Sequence, residues 1–214
     1  MALYDRSVLV TIDVQRDFYE SGAPGLVKGT AQCIPAMSRL AEAFRSGGLP
    51  IVHVVRLYLA DGSNAEPFRR PMLASASVVR PATEGSHLPA ELLPEGVRQP
   101  DPEALLRGEL QQVGRSEWVM YKPRWGAFYN TGLEEHLRAL DVDTVVFVGC
   151  NFPNCPRASL YEASERDFAT VLVADAVSGT YARGMQELAG MGTVVTSTDG
   201  VLHELREVVL DPAT

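Results

Sequence analysis

Apolar residues fall into short, mostly β-branched runs separated by segments of helical spacing. Ser7–Ile12 (SVLVTI), Ile51–Val55 (IVHVV) and residues 117–120, 145–148, 170–174 and 193–196 have the length and composition of strands, several of them buried on both faces. Between them, Thr30 is placed to cap a helix that carries Ile34, Met37, Leu40, Ala41 and Phe44 on one side and stops at Gly47-Gly48. Further helices are expected over residues 131–140 behind Thr131, from Cys155 with Pro156 in the first turn, over 182–189 and over 201–208. This alternation predicts an α/β fold: a doubly wound, mainly parallel six-stranded sheet with helices on both faces. Nothing in composition breaks the 214 residues, so one domain over 1–214 is expected.

The pattern weakens over residues 56–114. Prolines at 67, 71, 81, 89, 94, 100 and 102 cut it into short apolar pieces, with one helix expected near 102–110. A connection this long covers an active site or meets a partner, and the sequence does not choose between the two. Charge adds an exclusion: 19 basic against 27 acidic residues, a net of −8 without long like-charge runs, argues against nucleic acid or an anionic membrane as partner. The apolar runs fall far short of the roughly 20 residues of a membrane span, and the first residues lack a basic-then-apolar leader, so a cytoplasmic protein is expected. Three cysteines, Cys33, Cys150 and Cys155, make no disulfide framework and are expected to stay reduced.

Asp13, Lys122 and Cys155 each stand just past the carboxyl end of a different expected strand, the edge where such sheets bind ligands. Together they make chemical sense: a thiol needs a base and a positive field to become a nucleophile, and a helix N-terminus under Cys155 is expected to favour the thiolate. Singly, each has an ordinary reading as a turn aspartate, a solvated lysine or a small buried cysteine. Cys150 reads as packing at a strand end, with a redox pair to Cys155 as the alternative, although the spacing is not C-x-x-C. His53, among apolar neighbours, reads as a hydrogen-bonded core histidine; His87, His136 and His203 have no metal-ligand spacing, so no metal and no cofactor are expected. An aspartyl phosphatase would want a second acid where Gln15 stands.

Three segments carry a resemblance: D-x-Q-x-D-F (Asp13, Gln15, Asp17, Phe18), K-x-R-x-x-A-F (Lys122, Arg124, Ala127, Phe128) and Gly149 with Cys155 six residues on at a helix start. With Asp175-Ala176 they make nearly the whole chain similar to the isochorismatase-like cysteine hydrolase superfamily. The resemblance implies an acid, lysine and cysteine triad at Asp13, Lys122 and Cys155. It also implies a cis peptide at Cys150–Asn151, with the N–H groups of Asn151 and Cys155 forming an oxyanion hole, and a homodimer or homotetramer. The metal-binding Asp and two His of nicotinamidases have no counterpart in Val54-Val55-Arg56-Leu57-Tyr58, and Cys155 points away from vinyl-ether hydrolysis. Phe18, Trp125, Phe128, Tyr129 and Phe152 lie in loops at the same edge and are expected to wall a small pocket, with core closure or a subunit contact as each one's alternative. Arg124 is expected to bind a substrate carboxylate or to pair with Asp17 or another acid. The expected activity is hydrolysis of a small amide or N-carbamoyl substrate; a vinyl-ether hydrolase and a catalytically silent binding module are the alternatives.

Overall fold

The computed structural model describes residues 3–210, and side chains up to residue 206, so both extremes of the expected 1–214 domain lie outside the described residues. In chain order the regular elements are β1 (Ser7–Ile12), α1 (Arg16–Tyr19), α2 (Thr30–Ser46), β2 (Ile51–Val55), α3 (Arg70–Ser75), α4 (Pro102–Leu106), β3 (Gln111–Gly114) and β4 (Glu117–Tyr121). There follow α5 (Leu133–Ala139), β5 (Thr144–Gly149), α6 (Cys155–Ser164), β6 (Ala169–Val177), α7 (Ala182–Gly190), β7 (Val194–Thr196) and α8 (Thr198–Leu210).

The sheet has the order β3-β4-β2-β1-β5-β6-β7, and every pairing is parallel except β3 with β4. It is therefore the expected doubly wound α/β sheet with one strand more than the six foreseen. The addition, β3, is an antiparallel edge strand of sequence QQVG with no apolar alternation to announce it; pairing with β4 across a short turn defines it.

The period-2 geometry of the central strands explains their apolar runs. Val8, Val10 and Ile12 of β1 and Val145 and Phe147 of β5 face one core with Leu133, Leu137, Leu160 and Leu188. Leu9, Val146 and Val148 face the other with Met37, Leu40, Phe44 and Val201. Burial on both faces leaves no polar side to the strand. Thr30 is the first residue of α2 behind a Gly29 cap, and its hydroxyl donates to Ser178 Oγ at 3.0 Å instead of capping. The helix expected near 102–110 ends at Leu106, and the chain reverses at Gly108. Among the described residues no helix is long and apolar enough to cross a membrane.

Candidate active site

The strand order changes direction between β1, the middle strand, and its parallel neighbour β5, which makes the switch point at which side chains from neighbouring strands converge. Read across the sheet, the strand ends of β4, β2, β1 and β5 deliver Lys122, Arg56, Asp13 and the Gly149–Cys155 segment. Backbone bonds fix each of them: Asp13 N–H donates to Val54 O, Lys122 N–H to Val55 O and Cys150 N–H to Ile12 O, at 2.9 to 3.0 Å. Gly149 allows the close pass over β1. It has φ 124°, and a Cβ there would overlap the Ile12 backbone.

Asp13 and Lys122 are buried and joined, Nζ to Oδ2, at 2.8 Å. Lys122 Nζ also donates to Arg124 O at 3.1 Å, whereas Asp13 Oδ1 is buried without a hydrogen-bond partner. Cys155 opens α6, and its carbonyl accepts from Ser159 Oγ at 2.7 Å. The peptide bond Cys150–Asn151 is cis, as the resemblance implied, and the amide of Asn154 donates to Asn151 Oδ1.

Burial, reinforced by the charge of Asp13, pushes the Cys155 thiol up to about 12 against the opposing pull of Lys122. The helix N-terminus expected to favour a thiolate is outweighed, and the resting group is the neutral thiol. Burial pulls the Lys122 ammonium down, but the charges of Asp13 and Cys155 outweigh it and its net shift is upward. Burial also raises the Cys150 thiol well above its ordinary range; its Sγ donates to Asp13 O at 3.1 Å. His53 is wholly buried between Thr11 Oγ1 (2.9 Å) and Glu117 Oε1 (2.7 Å), the core role foreseen for it.

A cavity of about 140 Å³ opens above these residues. Asp13, Lys122, Cys150, Asn151, Asn154 and Cys155 form its floor, and Phe18, Arg56, Tyr58, Arg69, Met72, Val78 and Trp125 contribute to its wall. That is small beside the roughly 300–1,000 Å³ of pockets for drug-sized ligands, so it suits a compact substrate. The long connection after β2 covers the site with its first part, Tyr58 to Val78; its later part packs Leu88, Leu93 and Leu105 against Val55 and Val119.

Of the five aromatics expected to wall the pocket and the arginine expected to bind a substrate carboxylate or pair with an acid, Phe18 and Trp125 line the cavity and the other four do not. Phe128 and Phe152 are core residues, the second wholly buried, with its ring edge-on to Tyr181 at 5.4 Å. Tyr129 is exposed. Arg124 donates from Nη1 to Asn64 O (3.0 Å) and Pro123 O (2.7 Å), tethering its own loop to the covering segment. Arg56 and Arg69 line the cavity unforeseen by the sequence reading, as do Tyr58, Met72 and Val78. Arg56 lies in the cavity wall, and Gln15 grips its backbone from both sides, Oε1 accepting Arg56 N–H and Nε2 donating to Arg56 O, each at 2.8 Å. An arginine straight after a buried apolar run was the available signal. Among the described residues no group of three or more His, Cys, Asp or Glu is placed to hold a metal ion.

Residues 7–200 match the family model of the Isochorismatase domain. The chain is 31% identical over 167 residues to a probable inactive nicotinamidase of Arabidopsis thaliana, covering 78% of this chain and 77% of that one. It is 28% identical over 176 residues to the maleamate amidohydrolase of Pseudomonas putida, covering 80% and 72%. Among solved structures, an isochorismatase family protein from Desulfovibrio vulgaris superposes with a TM-score of 0.78 at 28% identity, over 96% of this chain and 98% of that one. A cysteine hydrolase from Pseudomonas syringae shares the fold with a TM-score of 0.78 at 19% identity, over 94% and 93%. With its matched core running from β1 into α8, the chain belongs to the isochorismatase-like cysteine hydrolase superfamily and is a hydrolase of that fold.

Proposed function

We propose that this protein is a cysteine-dependent amidohydrolase that cleaves a small amide or N-carbamoyl compound through a thioester on Cys155. The observation that carries this reading is the division of labour within the Asp13 carboxylate: Oδ2 is held by Lys122 at 2.8 Å while the buried Oδ1 is unpartnered beside a buried thiol. A neutral thiol next to a free carboxylate oxygen suits proton transfer in step with attack. Asp13 takes the Cys155 proton as sulfur bonds to the carbonyl carbon. The N–H groups of Asn151 and Cys155 receive the oxyanion, a role worth about 2.7–4 kcal/mol per donor. As the C–N bond breaks, Asp13 passes its proton to the departing nitrogen. It next takes a proton from water, whose oxygen cleaves the thioester, and returns that proton to sulfur. Lys122 keeps its charge throughout and holds Asp13 in place. The names of several relatives, among them a maleamate amidohydrolase and an N-carbamoylsarcosine amidase, support amide chemistry. One domain, cytoplasmic residence and a homo-oligomeric state belong to the same proposal.

Ammonia release from a panel of small primary amides and N-carbamoyl compounds, wild type against Cys155→Ala, tests it. Release that disappears in the variant is expected. Release that survives in it, or none from the wild type on any compound, sinks the reading.

A further inference from the structure

The charges of the cavity do not balance. Three cations, Arg56, Arg69 and Lys122, line it, and they face two carboxylates, Asp13 in the floor and Glu66 behind the wall. Lys122 and Asp13 answer each other. The two guanidiniums share Glu66: Arg56 Nη2 donates to Glu66 Oε2 at 2.7 Å, while Arg69 Nε stands 3.6 Å from the same oxygen without a hydrogen bond. Arg56 is 2% exposed, yet its Nε and Nη1 have no partner. Buried charged donors left unpaired are costly, and a site keeps them where an outside group completes the set. Arg56 is also fixed in place, by Gln15 on its backbone and by the Tyr58 ring 4.8 Å from its guanidinium carbon.

We infer that the substrate carries a carboxylate at the end remote from the scissile amide, received by Arg56 and Arg69. Two parallel N–H groups of a planar guanidinium match a carboxylate in the bidentate manner, and one negative charge cancels the surplus. Spacing supports a short molecule. Arg56 follows β2 and Cys155 follows β5, with β1 between, so their strand ends stand about two strand spacings apart, on the order of 10 Å. Allowing roughly 3–3.5 Å for sulfur to the carbonyl carbon and about 3 Å for the arginine–carboxylate contact leaves the span of a few carbons. The class indicated is the monoamide of a short dicarboxylic acid or an N-carbamoyl amino acid. The reacting end of this statement rests on the amidohydrolase reading; the carboxylate end does not.

The experiment compares malonamate, succinamate and glutaramate with the corresponding neutral diamides, as substrates of the wild type and of Arg69→Gln and Arg56→Met, and measures succinate binding calorimetrically to Cys155→Ala. For the best chain length, the monoamide is expected to exceed its diamide in kcat/KM by about 100-fold, and each arginine substitution to cut that ratio by about tenfold or more, the scale of a charge-assisted hydrogen bond. Succinate binding to Cys155→Ala is expected to weaken by a similar factor when Arg69→Gln is added. Should Arg56→Met not fold, Arg69→Gln, whose side chain is 24% exposed, decides. Equal turnover of monoamide and diamide, or a ratio unmoved by Arg69→Gln, overturns the carboxylate site while leaving the amidohydrolase standing. If no amide is cleaved, succinate binding that depends on Arg69 upholds the carboxylate site on its own, and absent or Arg69-independent binding removes it.

Discussion

The floor and the wall of the cavity are held by opposite means. In the floor, Asp13, Lys122 and Cys155 sit at the ends of regular parallel strands or the start of a helix, and the two charges answer each other one to one. In the wall, Arg69, Met72 and Val78 come from a connection that contains no strand, and two guanidiniums lean on one carboxylate. The contrast separates two tasks. A self-paired floor stays in register whether or not a ligand is present, which suits groups that must move a proton over a fixed distance. An under-paired wall is electrostatically completed by what binds, which suits selection.

The sharpest way to break this comparison is at the floor. Cys155→Ser should lower kcat by about 10⁴-fold, because the hydroxyl is a far poorer nucleophile in a site built around sulfur; near-normal ammonia release would end the floor's catalytic role. Stability gives an independent view of the buried ion pair. Removing one partner, as in Asp13→Asn or Lys122→Met, leaves the other charge buried alone and should cost about 3–5 kcal/mol in chemical denaturation. The double variant Asp13→Asn/Lys122→Met should recover most of that stability and none of the activity. Additive losses in the double variant would mean that the two groups are not energetically coupled.

A smaller effect sharpens the proton bookkeeping. With its thiol raised to about 12 by burial and then by Asp13, Cys155 should react with iodoacetamide ever faster from pH 8 to beyond pH 10, without the plateau of an ordinary thiol. Asp13→Asn removes the second of those causes. It should speed alkylation at pH 8 by about tenfold per unit of lowered pKa, in the same protein that has lost hydrolysis. A plateau near pH 8.5 in the wild type, or slower alkylation in Asp13→Asn, would contradict the neutral resting thiol. The sign carries over to stability. A folded-state pKa above that of an unfolded thiol contributes stability that is present below about pH 8.5 and lost as pH rises towards the folded value.

The same division governs what the sequence could disclose. Asp13, Lys122 and Cys155 were legible because strand ends are local: an apolar run followed by a polar residue fixes position along the sheet edge whatever the order of the strands. The bonds of Gln15 to Arg56, 41 residues away, are not local. Arg124 was expected to meet a substrate carboxylate and Arg56 was passed over; only packing assigns the first to a carbonyl tether and the second to the cavity. β3 escaped because a half-buried edge strand with Val113 as its one apolar side chain shows no apolar alternation, and Phe152 because a loop aromatic close to Cys155 turns inward where Gly184 leaves room for its ring.

Tyr129 supplies the last and smallest test. It belongs to the loop that carries Lys122, and sequence position alone would put its ring over the substrate. In the structure that loop is pinned to α6 just before it, Ala127 N–H donating to Ser159 Oγ at 3.0 Å and Phe128 N–H to Glu162 Oε2 at 2.9 Å, so the chain leaves the cavity before Tyr129 is reached. The ring is 48% exposed and outside the cavity lining. Tyr129→Ala should therefore change stability by less than about 0.5 kcal/mol and KM by less than about twofold, as a surface truncation does. A KM raised tenfold with kcat retained would instead bring Tyr129 into the wall, and would mean that substrate binding draws this loop over the site.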